Sequence, residues 1–235
     1  MIQHIGIVGC SAEGAALCYR TVCLEGAKRL GPHAHPEVSM HTHSLADYVA
    51  RIEAGDWDGV GALMLSSAGK LARAGADFLI CPDNTIHQAL PLIEARSPLP
   101  WLHIVDAVGE QALARNYRKL GLLGTRWLVE SEVYPGRLES LGIACVRPGE
   151  EEREEISRLI MDELVAGIVT PDTVPRFQAV IQNLAAEGCD AVVLGCTEIP
   201  LVISHENSRL PTLDSTRLLA RAALARAIGP EGAQS

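Results

Sequence analysis

Short aliphatic runs that end in glycine or a polar turn alternate along this chain with longer stretches of helical spacing. Ile5-Gly6-Ile7-Val8-Gly9 is the first such run and reads as a strand closed by a tight turn. Ser11 to Leu30 then has helical period, with Leu17, Leu24, Ala27 and Leu30 on one face and Arg20, Glu25, Lys28 and Arg29 at polar positions. A strand is expected over Glu37–Met40. A helix is expected over Asp47–Ala54 behind the candidate cap Ser44, with Leu45, Val49 and Ile52 spaced for burial. A further helix runs from Asp58 to Ala74, and Thr85 to Ala95 is read as helical with Asp83-Asn84-Thr85 forming its start.

After the punctuation Ser97-Pro98-Leu99-Pro100 come a strand over Trp101–Val105, a helix, and the apolar run Lys119 to Gly124. The charged run Glu150 to Glu155 opens a helix whose apolar face is Ile156, Leu159, Ile160 and Leu164, as the helix dipole favours acids at that end. Thr173–Ala186 is a helix, Leu210–Asp214 a short strand, Ser215–Ala227 the last helix, and Gly229–Ser235 a frayed tail. Alternating strands and helices predict parallel sheets covered on both faces.

One stretch occurs twice. Gly75-Ala76-Asp77-Phe78-Leu79-Ile80-Cys81-Pro82-Asp83-Asn84-Thr85-Ile86 aligns without a gap on Gly188-Cys189-Asp190-Ala191-Val192-Val193-Leu194-Gly195-Cys196-Thr197-Glu198-Ile199. Gly121-Leu122-Leu123-Gly124 mirrors Gly6-Ile7-Val8-Gly9 at nearly the same offset. The expected architecture is therefore α/β, with two pseudo-symmetric Rossmann-like lobes of parallel sheet and an active site in the cleft between them. One lobe comprises residues 1–98 and 209–235 and bears Asp83. The other comprises 99–208 and bears Cys196.

Composition narrows the function. The 235 residues carry a formal net charge of −9 with no basic cluster, which argues against a nucleic-acid partner, and aromatics at 4% offer little for base stacking. No apolar run approaches the roughly 18 residues of a membrane span. The N-terminus starts a strand without a charged leader, and seven cysteines with no CxxC pair fit reduced thiols in the cytoplasm. Gly6-x-x-Gly9 lacks the third glycine and the Lys-Ser/Thr of a phosphate loop. The pairs His33-x-His35 and His41-x-His43 lack a completing ligand, and Pro36 breaks the first, so no metal is expected.

The motif residues resemble the aspartate/glutamate racemase superfamily of cofactor-independent enzymes. Gly195-Cys196-Thr197-Glu198-Ile199-Pro200 is similar to its second active-site motif. Leu123-Gly124-Thr125-Arg126 with Tyr134 and Gly136-Arg137-Leu138-Glu139 is similar to the middle segment of its aspartate-racemase-like members. Gly55-Asp56-Trp57 and Ala74-Gly75-Ala76-Asp77 also fit. The resemblance spans about residues 4 to 220. It implies two α/β lobes, no metal or pyridoxal phosphate, a supporting role for Glu198, and a homodimer as the default assembly. It departs at the first motif, where the family usually has Pro-Cys-Asn-Thr-Ala-His and this chain has Pro82-Asp83-Asn84-Thr85-Ile86-His87. Cys81 is a rival for the missing thiol, but it precedes Pro82 and falls opposite Leu194 in the repeat, as a core residue would.

Inverting a stereocentre by proton transfer needs a base on one face of Cα and an acid on the other. Asp83 and Cys196 would be unequal partners, because free Asp and free Cys differ by about 4.6 pKa units, or about 6 kcal/mol, in favour of carboxylate plus thiol. Ser11, Asn84, Thr85, Thr125 and Thr197 are the candidates for a substrate carboxylate. His43 is the candidate for the substrate side chain, since no Arg or Lys stands where dicarboxylate-specific members have them. The expected ligand is a small amino acid or related carboxylate. Two alternatives stay open: a one-directional reaction (decarboxylation, elimination or cis–trans isomerisation) on the same fold, or a non-catalytic amino-acid-binding protein.

Overall fold

The computed structural model describes residues 1–229; apart from Gly229, the expected frayed tail lies outside the described residues. The chain divides into two compact units, Met1–Ile104 with the chain from Thr216 on, and Val105–Ser215.

The first unit holds β1 (Ile5–Gly9), α1 (Ala12–Leu30), β2 (Val38–Thr42), α2 (Leu45–Glu53), α3 (Trp57–Arg73) and β3 (Phe78–Ile80). A mixed segment follows, with 3₁₀ turns over Thr85–Ala89 and Glu94–Arg96 around α4 (Leu90–Ile93), and then β4 (Trp101–Leu102). Its four strands run parallel in the order β2-β1-β3-β4. Beyond α5 (Ile104–Ala114), the second unit holds β5 (Lys119–Leu123), α6 (Arg126–Val129), α7 (Pro135–Ser140), β6 (Ala144–Val146), α8 (Glu150–Arg158), α9 (Thr173–Ala186), β7 (Ala191–Leu194) and β8 (Thr212–Asp214). Its order, β6-β5-β7-β8, is the same topology, again all parallel. The last helix, α10 (Ser215–Ile228), carries the chain back into the first unit.

The repeat has a structural meaning that is the same in both units. Gly75 at φ +92° and Gly188 at φ +86° end the preceding helices in a left-handed cap that L side chains rarely adopt. The Gly75 amide bonds Ala72 O and the Ala76 amide bonds Leu71 O; Gly188 to Ala185 and Cys189 to Leu184 repeat the pattern. Two residues on, an aspartate ties the next strand to its neighbour. Asp77 Oδ2 accepts from the His4 amide at 2.7 Å, and Asp190 Oδ2 from the Arg118 and Lys119 amides at 2.6 and 2.9 Å. The strand that follows is buried at every position in both copies.

Several expectations are corrected. The strand expected over Trp101–Val105 stops at Leu102, and the helix expected after it begins at Ile104. The helix expected over Thr85–Ala95 is broken into 3₁₀ and α turns, and Asn84 at its start makes no side-chain cap bond. The strand placed over Glu37–Met40 is shifted to Val38–Thr42. In α2 the buried side chains are Tyr48 and Ile52 rather than Leu45 and Val49, and Ser44 makes no side-chain cap bond. The short elements α6, α7 and β6 escaped prediction.

The largest correction is the face of α1. Gly14, Ala15, Cys18, Thr21, Val22 and Gly26 are buried, whereas Leu24 is 55% exposed. Small residues let the helix lie close to its neighbours: a Cβ on Gly26 would meet His35 Cβ at 2.9 Å, and one on Gly9 would meet Ala15 Cβ at 3.0 Å. Close approach won over side-chain bulk, so Leu24 faces solvent while Leu17, Ala27 and Leu30 are only half-buried.

By contrast, Ile156, Leu159, Ile160 and Leu164 all enter the core of the second unit, as their spacing predicts. Leu159–Glu163 continues α8 as a single π-helical turn.

Candidate functional site

In a parallel sheet whose strand order reverses, a crevice opens beyond the carboxyl ends of the two strands that flank the reversal. Here these are β1 and β3 in one unit, and β5 and β7 in the other. The first motif follows β3, and the second follows β7.

Asp83 lies just past β3, half-buried, with its carboxylate turned to the residues that end β1. The Cys10 amide donates to Oδ2 at 2.9 Å, the Ser11 amide to Oδ1 at 3.0 Å, and the Ser11 hydroxyl to Oδ1 at 2.5 Å. Donors gathered on a carboxylate stabilise its charged form. Ser11 also caps α1, accepting from the Gly14 amide at 3.2 Å. Its hydroxyl, expected on a substrate carboxylate, is thus engaged with Asp83 and the helix start. Asp83 thereby joins the ends of two neighbouring strands.

Below this turn the side chains are closed off from solvent. Cys81 is fully buried, its thiol reaching Asp83 O at 3.7 Å. Burial first, then the nearby Asp83 charge, pushes that thiol well above its ordinary pKa. Cys81 is therefore a poor source of thiolate. His87 is buried as well, and its Nε2 lies 3.0 Å from Cys81 O, an atom that can only accept, so this nitrogen carries the proton. Its ring meets that of His103 edge-on at 4.4 Å. Tyr48 is buried near the same group. Burial first, then Cys81, Cys10 and Asp83, raises its hydroxyl pKa; Ser67 lowers it, though the two hydroxyls lack good hydrogen-bond geometry. Nothing in the sequence around Tyr48 singles it out, whereas His87 stood inside the quoted motif.

In the second unit the turn after β7 is drawn tight. The Gly195 amide donates to Leu123 O at 2.7 Å, extending the ladder, whereas its counterpart Pro82 has no N–H to give. A Cβ on Gly195 would fall 2.6 Å from Leu123 O, so only glycine fits. Next comes Cys196, half-buried, with Sγ 2.9 Å from Glu198 Oε2. The same oxygen accepts the Thr197 hydroxyl at 2.7 Å, and both Thr197 and Glu198 are buried. Thiol, hydroxyl and carboxylate form one hydrogen-bonded group on three consecutive residues, Cys196 to Glu198.

The remaining candidates are placed as follows. Asn84 is buried and Thr85 half-buried, both directly after Asp83. Thr125 is buried at the start of α6, beyond β5, and makes no side-chain cap bond there. His43 follows β2, whose Thr42 pairs with Gly9 of β1, which puts it near the Cys10–Ser11 turn in the sheet. Its ring packs edge-on against His41 at 4.9 Å, and its Nε2 is buried without a hydrogen-bond partner among the described residues. His41 is held by Ser67 at 2.9 Å and Lys70 at 2.8 Å; desolvation first, then Lys70 and His43, lowers its pKa. Among the described residues no three His, Cys, Asp or Glu side chains are grouped to hold a metal ion, and no helix is long and apolar enough to cross a membrane.

Known proteins share this fold. The chain is 32% identical to a candidate Asp/Glu racemase from Yersinia pestis, covering 97% of this chain and 100% of that one with a TM-score of 0.89. An aspartate racemase homologue from Pyrococcus horikoshii OT3, 28% identical over 97% of this chain and 100% of that one, superposes with a TM-score of 0.83. The broad-specificity amino-acid racemase RacX of Bacillus subtilis is 27% identical over 169 residues, 71% of each chain. The pattern that defines Asp/Glu/hydantoin racemases matches residues 6–223, and with nearly the whole chain thus covered, the protein belongs to the Asp/Glu/hydantoin racemase family.

Proposed function

We propose that this protein is a cofactor-independent amino-acid racemase in which Asp83 and Cys196 are the two proton-transfer groups. The observation that carries this reading is that the repeat sets one such group, already hydrogen-bonded, at the same turn of each unit. Asp83 follows β3, and Cys196 follows β7.

The two groups differ in their partners. Donors surround Asp83, which favours the carboxylate, and Cys196 donates to Glu198, which favours the thiol beside that carboxylate. The resting protein then holds its base at Asp83 and its acid at Cys196. Asp83 takes the α-proton and becomes a carboxylic acid. The electron pair left on Cα delocalises into the substrate carboxylate, and Cys196 delivers its proton to the opposite face, leaving a thiolate. Resetting both groups is a separate step: water takes the proton held by Asp83, and water supplies a proton to the Cys196 thiolate by way of the Glu198 carboxylate beside it. Asn84, Thr85, Thr125 and Thr197 are proposed to hold the substrate carboxylate, and His43 to face its side chain. Ser11 is proposed to position Asp83 rather than to touch substrate.

The test is deuterium exchange. Incubated in deuterium oxide with single enantiomers of a panel of amino acids, the protein is expected to give product deuterated at Cα. Recovered substrate should keep its protium early in the reaction, as two separate groups require. Absence of α-exchange in every amino acid that measurably binds would sink the racemase reading. The unequal partners specifically favour a second reading, a one-directional reaction on the same fold, which release of carbon dioxide or ammonia in the same incubation would reveal.

A further inference from the structure

The turn that joins α8 to α9 in the second unit carries an exposed apolar group. Val165, Ile168 and Val169 are 41%, 49% and 57% exposed, three large apolar side chains within five residues. Elsewhere among the described residues, past Met1 and Ile2 at the chain start, such side chains stand singly along the sequence. Lone exposed apolar residues are ordinary, whereas a contiguous group marks a binding surface.

The turn is held in place at its base. Leu164–Ala166 forms a 3₁₀ turn closed by Gly167 at φ +71°, whose amide donates to Leu164 O at 2.9 Å. The Ile168 amide donates to Glu163 O at 2.9 Å, and the Thr170 amide to Thr173 Oγ1 at 2.9 Å. Buried Thr173 in turn donates to Glu163 Oε2 at 2.7 Å, so the two ends of the turn are tied together.

Its place in the fold follows from the helix contacts. The crossover helix α9 leads into β7, so it runs against the parallel strands and its first residues lie at their carboxyl ends. Helix α8 lies antiparallel to it: Glu152 meets Asn183 at 2.6 Å, Glu155 pairs with Arg176, and Glu163 meets Thr173. The turn between them therefore stands at the carboxyl edge of the sheet, the edge where Cys196 follows β7. Leu164, Ile199, Ile203 and Cys196 belong to one packed apolar cluster, which anchors the turn to the segment that bears the thiol.

Its charge points to the occupant. From Leu159 to Thr173 there is no Lys, Arg or His, and Asp162, Glu163 and Asp172 are the only charged residues. The flanking Arg158 and Arg176 are paired with Glu163 and Glu155. A second carboxylate on a substrate would meet acids here rather than cations, whereas an aliphatic side chain would exchange water for apolar contact.

We infer that the turn over residues 165–169 receives the substrate's side chain, and that the substrate is an amino acid with an uncharged aliphatic side chain, of leucine or methionine type. This rests on the racemase reading of Cys196, and the turn lies within the second unit alone.

Rates of α-proton exchange on the full-length protein with leucine, methionine, aspartate and glutamate test this. Leucine and methionine are expected to exceed both dicarboxylates at least about tenfold in kcat/KM. Val169→Lys should cut the leucine value at least about tenfold, chiefly through KM, while Val169→Ile keeps the wild-type preference. Circular dichroism checks that the lysine variant folds, and Val169→Thr, a smaller polar change, should shift the preference in the same direction. Exchange that favours aspartate or glutamate, or a preference unchanged in Val169→Lys, would overturn the assignment and leave the racemase reading standing. If no amino acid exchanges, the racemase reading fails and calorimetry decides the side-chain site. Leucine binding weakened at least about tenfold by Val169→Lys would then support it, and absent or unchanged binding would overturn it. A dimer that dissolves in Val169→Lys with the preference unchanged would give the patch to a second copy of the chain and overturn it as well.

Discussion

At Asp83 a carboxylate accepts two main-chain amides and one hydroxyl, so it is a structural tie as well as a proposed base. Asp83→Ala leaves the Cys10 and Ser11 amides without their acceptor, and a loss of about 1–3 kcal/mol is expected in urea unfolding. Asp83→Asn keeps an acceptor and should lose less stability, yet α-proton exchange should fall at least about 100-fold. Cys196→Ala should lower exchange to a similar extent while ligand binding stays measurable by calorimetry. Full activity in that variant would remove the thiol from the mechanism. Asp83→Cys restores the family's usual residue, and the proposed scaffold predicts higher racemase activity for it. In the sequence, Asp83 and Cys196 were legible as an aligned pair. Glu198, the partner of Cys196, was legible in the same motif, but the partners of Asp83 were not, because Ser11 and Cys10 lie more than seventy residues upstream.

Among the elements, the strand-ending turns of the repeat should respond to substitution in two different ways. Gly188 has open space around its missing Cβ but a positive φ, so Gly188→Ala should cost about 1–2 kcal/mol through backbone conformation alone. At Gly195 the obstacle is contact, since a Cβ would press on Leu123 O and Leu128. Gly195→Ala should cost about 1–3 kcal/mol and should displace Cys196, lowering turnover further than stability predicts. Urea midpoints and exchange rates on both variants separate these causes, and equal behaviour would refute the distinction. Elements with a long period, such as α9 and the start of α8, were readable from spacing. The two-residue β4 was not separable from the helix after it, because Trp101 to Val105 is buried or nearly so whichever element claims it.

For the molecule as a whole, the first unit is closed by a helix from the far end of the chain. The Gln3 amide bonds Ala227 O at 2.9 Å, Arg226 lies over the Phe78 ring at 4.3 Å, and Arg221 binds Glu25. Because the folded-state pKa of Glu25 is lowered, its contribution is present above the unfolded value and lost as pH falls through the folded one. The wild-type advantage over Glu25→Gln in thermal midpoint should therefore be largest near neutrality and shrink below about pH 4. An advantage that persisted unchanged at pH 3 would contradict this origin.

By itself the sequence determined the α/β class, the duplication and the two residues that differ across it. Each of these is written in local spacing or in a gapless alignment, which need no knowledge of what packs where. Only the tertiary structure decided which face of α1 is buried, because closeness to the sheet depends on small residues in several segments at once. Likewise, only the structure put the Cys10–Ser11 turn against Asp83, since pairing of β1 with β3 joins parts of the chain that no local pattern connects.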